Sequence, residues 1–253
     1  MRVFVADDFG WTDEINSAIR ESFEGDLITH ASMIATMQAF AEACAIARRL
    51  EVGERIGVHL VLSEGSPLTD RIKSCRRICD SDGQFRRRRP LLFLRRSERD
   101  AVSAELRAQV ERVRAAGFPV SHLDSHHHIH HEPAIAPIVL RLAQELGVPR
   151  VRLSSNARRH GYVRPFLKAA INARIRRAGL AGTRCVGSAD DLLAVAETGV
   201  LIDNFEIVLH PVLREGQLRD AYGGEEPLQS IVRRVRAAYG DGDTDARTVS
   251  VGD

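Results

Sequence analysis

Lysine is nearly missing from this chain: Lys73 and Lys168 are the only two, and arginine supplies the rest of the 36 basic side chains. Such a bias reads as a codon preference rather than as a surface selected for charge. With 34 acidic residues the formal net charge is only +2, which argues against a dominant attraction to polyanions. Also missing is any apolar run near the roughly 18 residues that a membrane span needs. Val3-Phe4-Val5-Ala6 runs straight into two aspartates and is too short for the apolar core of a signal peptide, so a cytoplasmic protein is expected. Cysteine is scarce. Cys44, Cys75, Cys79 and Cys185 make no disulfide framework in 253 residues, and the Cys75/Cys79 pair has no second pair to complete a zinc ribbon. The four are expected as reduced, partly buried thiols.

The one dense basic run, Arg86-Arg87-Arg88-Arg89 followed by Arg95-Arg96, offers either an anion patch or a solvated loop. Aromatic interleaving of the kind that stacks single-stranded bases is limited to Phe85 and Phe93, so the loop reading is preferred and no nucleic-acid partner is expected.

What is present is a steady alternation. Short apolar runs at Arg2–Ala6, Leu27–Ala35, Arg55–Leu62, Pro119–Asp124, Arg150–Leu153, Thr183–Val186 and Asn204–Leu209 read as strands. Between them lie amphipathic stretches. Val102, Leu106, Val110 and Val113 put one stripe on a helix over Ser97–Ala116, and Ile135, Ile138, Val139, Leu142 and Leu146 do so over Pro133–Leu146. Further helices are expected after a cap at Thr12 or Asp13, over Ala39–Leu50, near Pro165–Ala178, over Ser188–Glu197 and over Pro227–Tyr239. Strands alternating with helices imply parallel pairing through right-handed crossovers. About seven such units over residues 1–240 suit one α/β domain, a distorted, TIM-barrel-like (β/α) barrel. The Arg-rich stretch 63–96 is a long loop, a candidate insertion or lid, and 241–253 is a polar tail.

In such barrels the chemistry gathers where strands end. Asp7-Asp8 follow the first strand, His59 lies near the end of the third, Asp124 and five histidines in six residues (His126–His131) follow the fourth, and His210 follows the last. The histidine run can be a disordered tract, but a strand precedes it and a clean helix follows it. Neutral imidazole is the commonest metal ligand, so at least one of these rings is read as a ligand. Two adjacent carboxylates suggest a division of labour, one on a metal and one taking a proton from water. Either alone is an ordinary helix cap or turn residue, and His59 or His210 alone an ordinary core histidine.

Ala6-Asp7-Asp8-Phe9-Gly10, Gly57-Val58-His59-Leu60 through Gly65, His122-Leu123-Asp124-Ser125-His126-His127-His128-Ile129-His130 and Phe205-Glu206-Ile207-Val208-Leu209-His210-Pro211 together resemble the YdjC/ChbG family of carbohydrate deacetylases, over about residues 1–230. The resemblance implies hydrolysis of the N-acetyl group of an acetylated amino sugar. It implies one divalent ion, zinc or magnesium, on Asp8, His59 and His126, with Asp7 as general base and His210 as general acid. Asp124, His128, Arg152 and Glu206 then fall to orienting the ligands or holding the sugar. Two other readings stay open: a metal-dependent phosphoesterase on a similar barrel, with the arginines gripping phosphate, and a sugar-binding metalloprotein without turnover. A homodimer is the default expectation.

Overall fold

The structure, a computed structural model, describes residues 1–87, 91–157 and 164–239. Six parallel strands form the sheet: β1 (Arg2–Phe9), β2 (His30–Met33), β3 (Ile56–Leu60), β4 (Leu123–Ser125), β5 (Cys185–Gly187) and β6 (Phe205–Leu209). Their order is β4-β3-β2-β1-β6-β5, so each strand lies beside its sequence neighbour and the last pairs with the first. That is the circular order of a barrel with a seam between β4 and β5.

Residues 150–157 occupy the seam. Leu123 N–H donates to the Arg150 carbonyl and Arg152 N–H to the Leu123 carbonyl, each at 2.9 Å. Further on, Asn156 N–H donates to the Val186 carbonyl at 3.0 Å, and Val186 N–H donates to the Asn156 side-chain oxygen at 2.9 Å. Among the described residues six strands pair in this sheet, an arrangement consistent with a distorted barrel. The strand expected at Arg150–Leu153 is one bridge, Leu123 to Val151. Val151 N–H instead donates to the Leu180 carbonyl, and the Arg152 side chain turns inward to buried acids, so no ladder propagates.

Helices pack outside: α1 (Asp13–Glu24), α2 (Phe40–Arg49), α3 (Asp70–Lys73), α4 (Arg96–Ala115), α5 (Ala136–Glu145), α6 (Arg164–Arg177), α7 (Ala189–Ala196) and α8 (Leu228–Tyr239). Thr12 caps α1, its hydroxyl accepting from Ile15 N–H. The stripe on α4 is buried at Val102, Leu106, Val110 and Val113, against Val58, Leu60 and the rest of the core. Two polar residues on the same face of α4 carry work of their own. Gln109 gives and takes hydrogen bonds with the backbone of Val61 at 2.8 and 2.9 Å, replacing a missing strand at the end of β3. Glu105 accepts from Leu68 N–H and from Thr69 N–H and Oγ.

Those bonds correct the expectation of a lid over 63–96. Its described part is packed: Ile72, Ile78, Cys79, Phe85 and Leu94 are buried, and α3 sits on α4. Arg88 and Arg89 and the expected tail at 241–253 lie outside the described residues. All four cysteines are free and buried. A hairpin absent from the sequence reading, β7 (Pro211–Arg214) with β8 (Gln217–Asp220), follows β6 and turns on Glu215-Gly216, both at positive φ.

Candidate active site

The strand ends converge on one mouth. Between Ala6 and Phe9 the register of β1 against β2 shifts, because three steps on β1 match two on β2. Asp8 sits at the shift with φ 67°, a left-handed conformation that costs a non-glycine residue roughly 1–2 kcal/mol. The bulge removes the strict alternation that aims neighbouring side chains apart. Asp7 is buried inside the barrel, and Asp8 is part-exposed at its rim. The turn after them is pinned by Asn16, whose side-chain oxygen accepts from Gly10 N–H at 2.7 Å.

Asp8 Oδ1 lies 3.3 Å from His59 Nε2 and 3.0 Å from His126 Nδ1. The three ligand atoms lie within 4.8 Å of one another, a separation that one cation can span. His59 Nδ1 lies 2.8 Å from Asp124 Oδ1 and 3.0 Å from Ser32 Oγ. The contact with Asp124 fixes the ring so that Nε2 faces Asp8, and a buried carboxylate orients a metal-binding imidazole in this way. Trp11 packs on His126 with ring centroids 4.6 Å apart. Gly57 is needed here: a Cβ at this position would meet the buried His122 ring at 2.3 Å.

Beneath the rim lies a dense ionic cluster. Arg152 donates to both oxygens of Asp7 at 2.8 Å, pairs with Asp124 Oδ2 at 2.6 Å and donates from Nε to Glu206. Burial works against charge on Asp7, but Arg152 and His59 hold its carboxyl below the ordinary range. Burial likewise opposes charge on Asp8, and hydrogen bonds from His126 and His59 prevail and lower it. For Glu206 burial wins over Arg152 and raises the carboxyl. Burial disfavours the His59 cation too, yet Asp124 and Asp7 push its pKa up to about 10. Asp7, Asp124 and Glu206 share the single Arg152 guanidinium, while Asp8 stands apart at the rim with His59 and His126, where a divalent ion would bind. The donor set, one carboxylate and two imidazoles, fits such an ion with positions to spare.

Of the other expected residues, His210 Nε2 stands 3.8 Å from Asp7 Oδ2, with its backbone N–H held by Asp220 at 2.7 Å and its ring edge-on to Tyr222. His128 is exposed on the cavity wall and stacks on His131 rather than backing a ligand. Arg152 is 3% exposed, bound to Asp7, Asp124 and Glu206, and lines the cavity from below. Ser32, Trp11, Asp220 and Tyr222 are site residues that the sequence did not reveal. A lone serine in a strand carries no pattern, although the single tryptophan directly after Phe9-Gly10 was a usable signal. A cavity of about 740 Å³ opens beside Asp7, His59, His126 and His210.

A parallel barrel with an Asp/His cluster at its strand ends defines the class. The YdjC-like protein family matches residues 3–236, and the chain belongs to that family. Carbohydrate deacetylases of Brevibacillus brevis and Geobacillus stearothermophilus are similar to it. The first is 40% identical over 144 residues, 57% of this chain and 56% of that protein. The second is 37% identical over 156 residues, 61% and 60% of the two chains. The chain thus matches less than two thirds of these relatives' length. In fold it is similar to a cellobiose-phosphate cleavage protein of Enterococcus faecalis, with a TM-score of 0.70 over 94% of this chain and 92% of that one at 21% identity.

Proposed function

We propose that the protein is a metal-dependent carbohydrate deacetylase that hydrolyses the N-acetyl group of an amino sugar. The observation that carries this reading is the meeting of Asp8, His59 and His126 at one rim with a second carboxylate, Asp7, directly behind it. The relatives named carbohydrate deacetylase support it. A divalent ion held by Asp8, His59 and His126 would supply Lewis acidity, polarising the amide carbonyl and lowering the pKa of water from about 15.7 toward neutrality.

The remaining work falls to side chains. Asp7 accepts the proton that water loses as it adds to the amide carbon. Arg152 grips both Asp7 oxygens and fixes their direction, at the cost of making Asp7 a weak base by itself. His210 protonates the departing nitrogen as the C–N bond breaks, giving acetate and a free amine. The 3.8 Å between His210 Nε2 and Asp7 Oδ2 supports a base and an acid serving one amide. Ser32 and Asp124 hold His59 in one orientation. For the phosphoesterase alternative, Arg86, Arg87, Arg95 and Arg96, the described arginines of that run, do not line the cavity.

The test is acetate release from a panel of N-acetylated sugars by metal-loaded protein, beside Asp7→Asn and a chelated sample. Acetate from the wild type that is lost in both controls supports the reading. No acetate from any sugar, with metal bound, overturns it.

A further inference from the structure

One member of the histidine run plays no part in the chemistry above. At His127, directly after His126, the backbone turns left-handed, with φ 54° there and 55° at His128. The turn brings the rings of His126 and His127 together, their centroids 4.0 Å apart. Ser63 Oγ lies 3.0 Å from His127 Nδ1, and His127 Nε2 stands 3.9 Å from Glu64 Oε1. Glu64 belongs to a fixed turn. Ser63 before it is buried, and the carbonyl of Gly65 after it accepts from Phe85 N–H at 2.9 Å. Gly65 has φ 76°, and a Cβ there would meet Met37 at 2.9 Å, so the turn calls for glycine.

Glu64, His126 and His127 thus offer three ligand atoms within 4.8 Å of one another, as Asp8, His59 and His126 do. A plain ion pair would account for the contact between Glu64 and His127. A third ligand at the same reach is what a cation needs. One carboxylate and two imidazoles suit a borderline first-row ion such as zinc, and suit magnesium poorly, since it prefers oxygen. The two sets differ in depth. Buried Asp124 stands behind His59, whereas the Glu64 and His127 side chains are 37% and 34% exposed. They also overlap. A neutral imidazole has one lone pair to give, so His126 serves one ion at a time.

Taking Asp8, His59 and His126 as the first metal set, we propose that Glu64 and His127 form a second site for a zinc-like divalent ion, which fills at excess metal and draws His126 away from the first set, so that high metal suppresses the reaction at the strand ends.

The experiment titrates zinc into the full chain, stripped with a chelator, by calorimetry, with equilibrium dialysis for stoichiometry. The wild type is expected to take two equivalents, the second about 10–100-fold more weakly, the usual worth of a carboxylate behind a ligand. Glu64→Gln and His127→Asn are each expected to leave one equivalent. Asparagine tolerates the left-handed backbone at His127, so that variant keeps the turn. His126→Asn should lose the weaker step and loosen the tighter one. Magnesium in place of zinc should give no second step. Acetate release is expected to rise through the first equivalent and fall through the second, and the fall should vanish in Glu64→Gln. One equivalent in the wild type overturns the proposal and leaves Glu64 and His127 as an ion pair only. So do two equivalents in both variants, or a weaker step that survives in His126→Asn. A second step that fills with acetate release undiminished overturns it as well. Two equivalents, with the variants as expected but no acetate from any sugar, would uphold the second site and sink the deacetylase reading instead.

Discussion

His59 and His30 sit on neighbouring strands of one barrel, and burial opposes charge on both, yet their protonation runs in opposite directions. His59 is raised to about 10, because Asp124 and Asp7 overcome its desolvation. His30 is lowered to about 3 by its own desolvation, reinforced by Arg150 and Arg55. His122, whose ring centroid is 6.0 Å from that of His30, follows it downward, for the same reasons of burial and nearby Arg150. The nearest formal charge, more than depth, sets the state of a buried imidazole. The barrel thus keeps an acid-lined mouth that attracts cations and, beside it, a set of neutral histidines that does not.

The comparison breaks most severely at Asp7. Asp7→Asn keeps the shape and removes the base, so acetate release is expected to fall by about 10²–10⁴-fold. Elemental analysis should still find the metal on Asp8, His59 and His126. Retention of activity would remove Asp7 from the chemistry.

Arg152→Met strikes the balance beneath the mouth. Three buried acids lose their common partner, and breaking such a cluster costs about 3–5 kcal/mol. A fall in melting temperature of roughly 6–20 °C is expected by calorimetry. A melting temperature within a degree of wild type would show that the acids can be neutralised without the guanidinium.

Gly57→Ala attacks the boundary between the two sets of histidines. The new methyl would meet the His122 ring at 2.3 Å, in a site with little room, and overpacking of this kind costs about 1–3 kcal/mol. Urea melts should show a lower midpoint at an unchanged slope, and a neutral result would mean that the ring can swing aside.

The last effect is a pH dependence. His30 has a pKa of about 3 when folded and about 6.5 when unfolded, so between these values the unfolded chain binds a proton that the folded chain refuses. Its contribution is complete above pH 6.5 and is lost as pH falls toward 3, at up to about 1.4 kcal/mol per pH unit. His30→Asn should make the acid limb of stability shallower in melts from pH 7 to 4. An unchanged limb would place the titration elsewhere.

Much of this was legible in the sequence. The apolar runs of β1, β3 and β6 and the stripes of α4 and α5 lie where periodicity placed them, because glycine, proline and caps bound them. Asp8, His59 and the histidine run could be nominated because each stands at or near the end of a strand-like run, while the choice of His126 came from the family resemblance. The partners of Arg152 were not legible, since its acids lie as far as 145 residues away and only the folded sheet brings them to it. The segment from Arg150 looked like a strand because Val151 and Leu153 alternate with arginines. Alternation reports which side chains face inward, and here one of the inward residues is Arg152 itself. The hairpin after His210 escaped notice because its strands are short and mixed in polarity, with little apolar alternation to mark them.

The seam at 150–157 has a consequence for how such a protein can change over time. Five junctions are strand pairings, with one bulge between Ala6 and Phe9, and along an unbroken ladder an inserted residue would reverse the facing of every side chain beyond it. The sixth junction is stitched by a loop and the side chain of Asn156. Extra length there shifts no register, so the wall of the cavity on that side can be lengthened, shortened or exchanged while the edge that carries Asp8, His59 and His126 stays as it is.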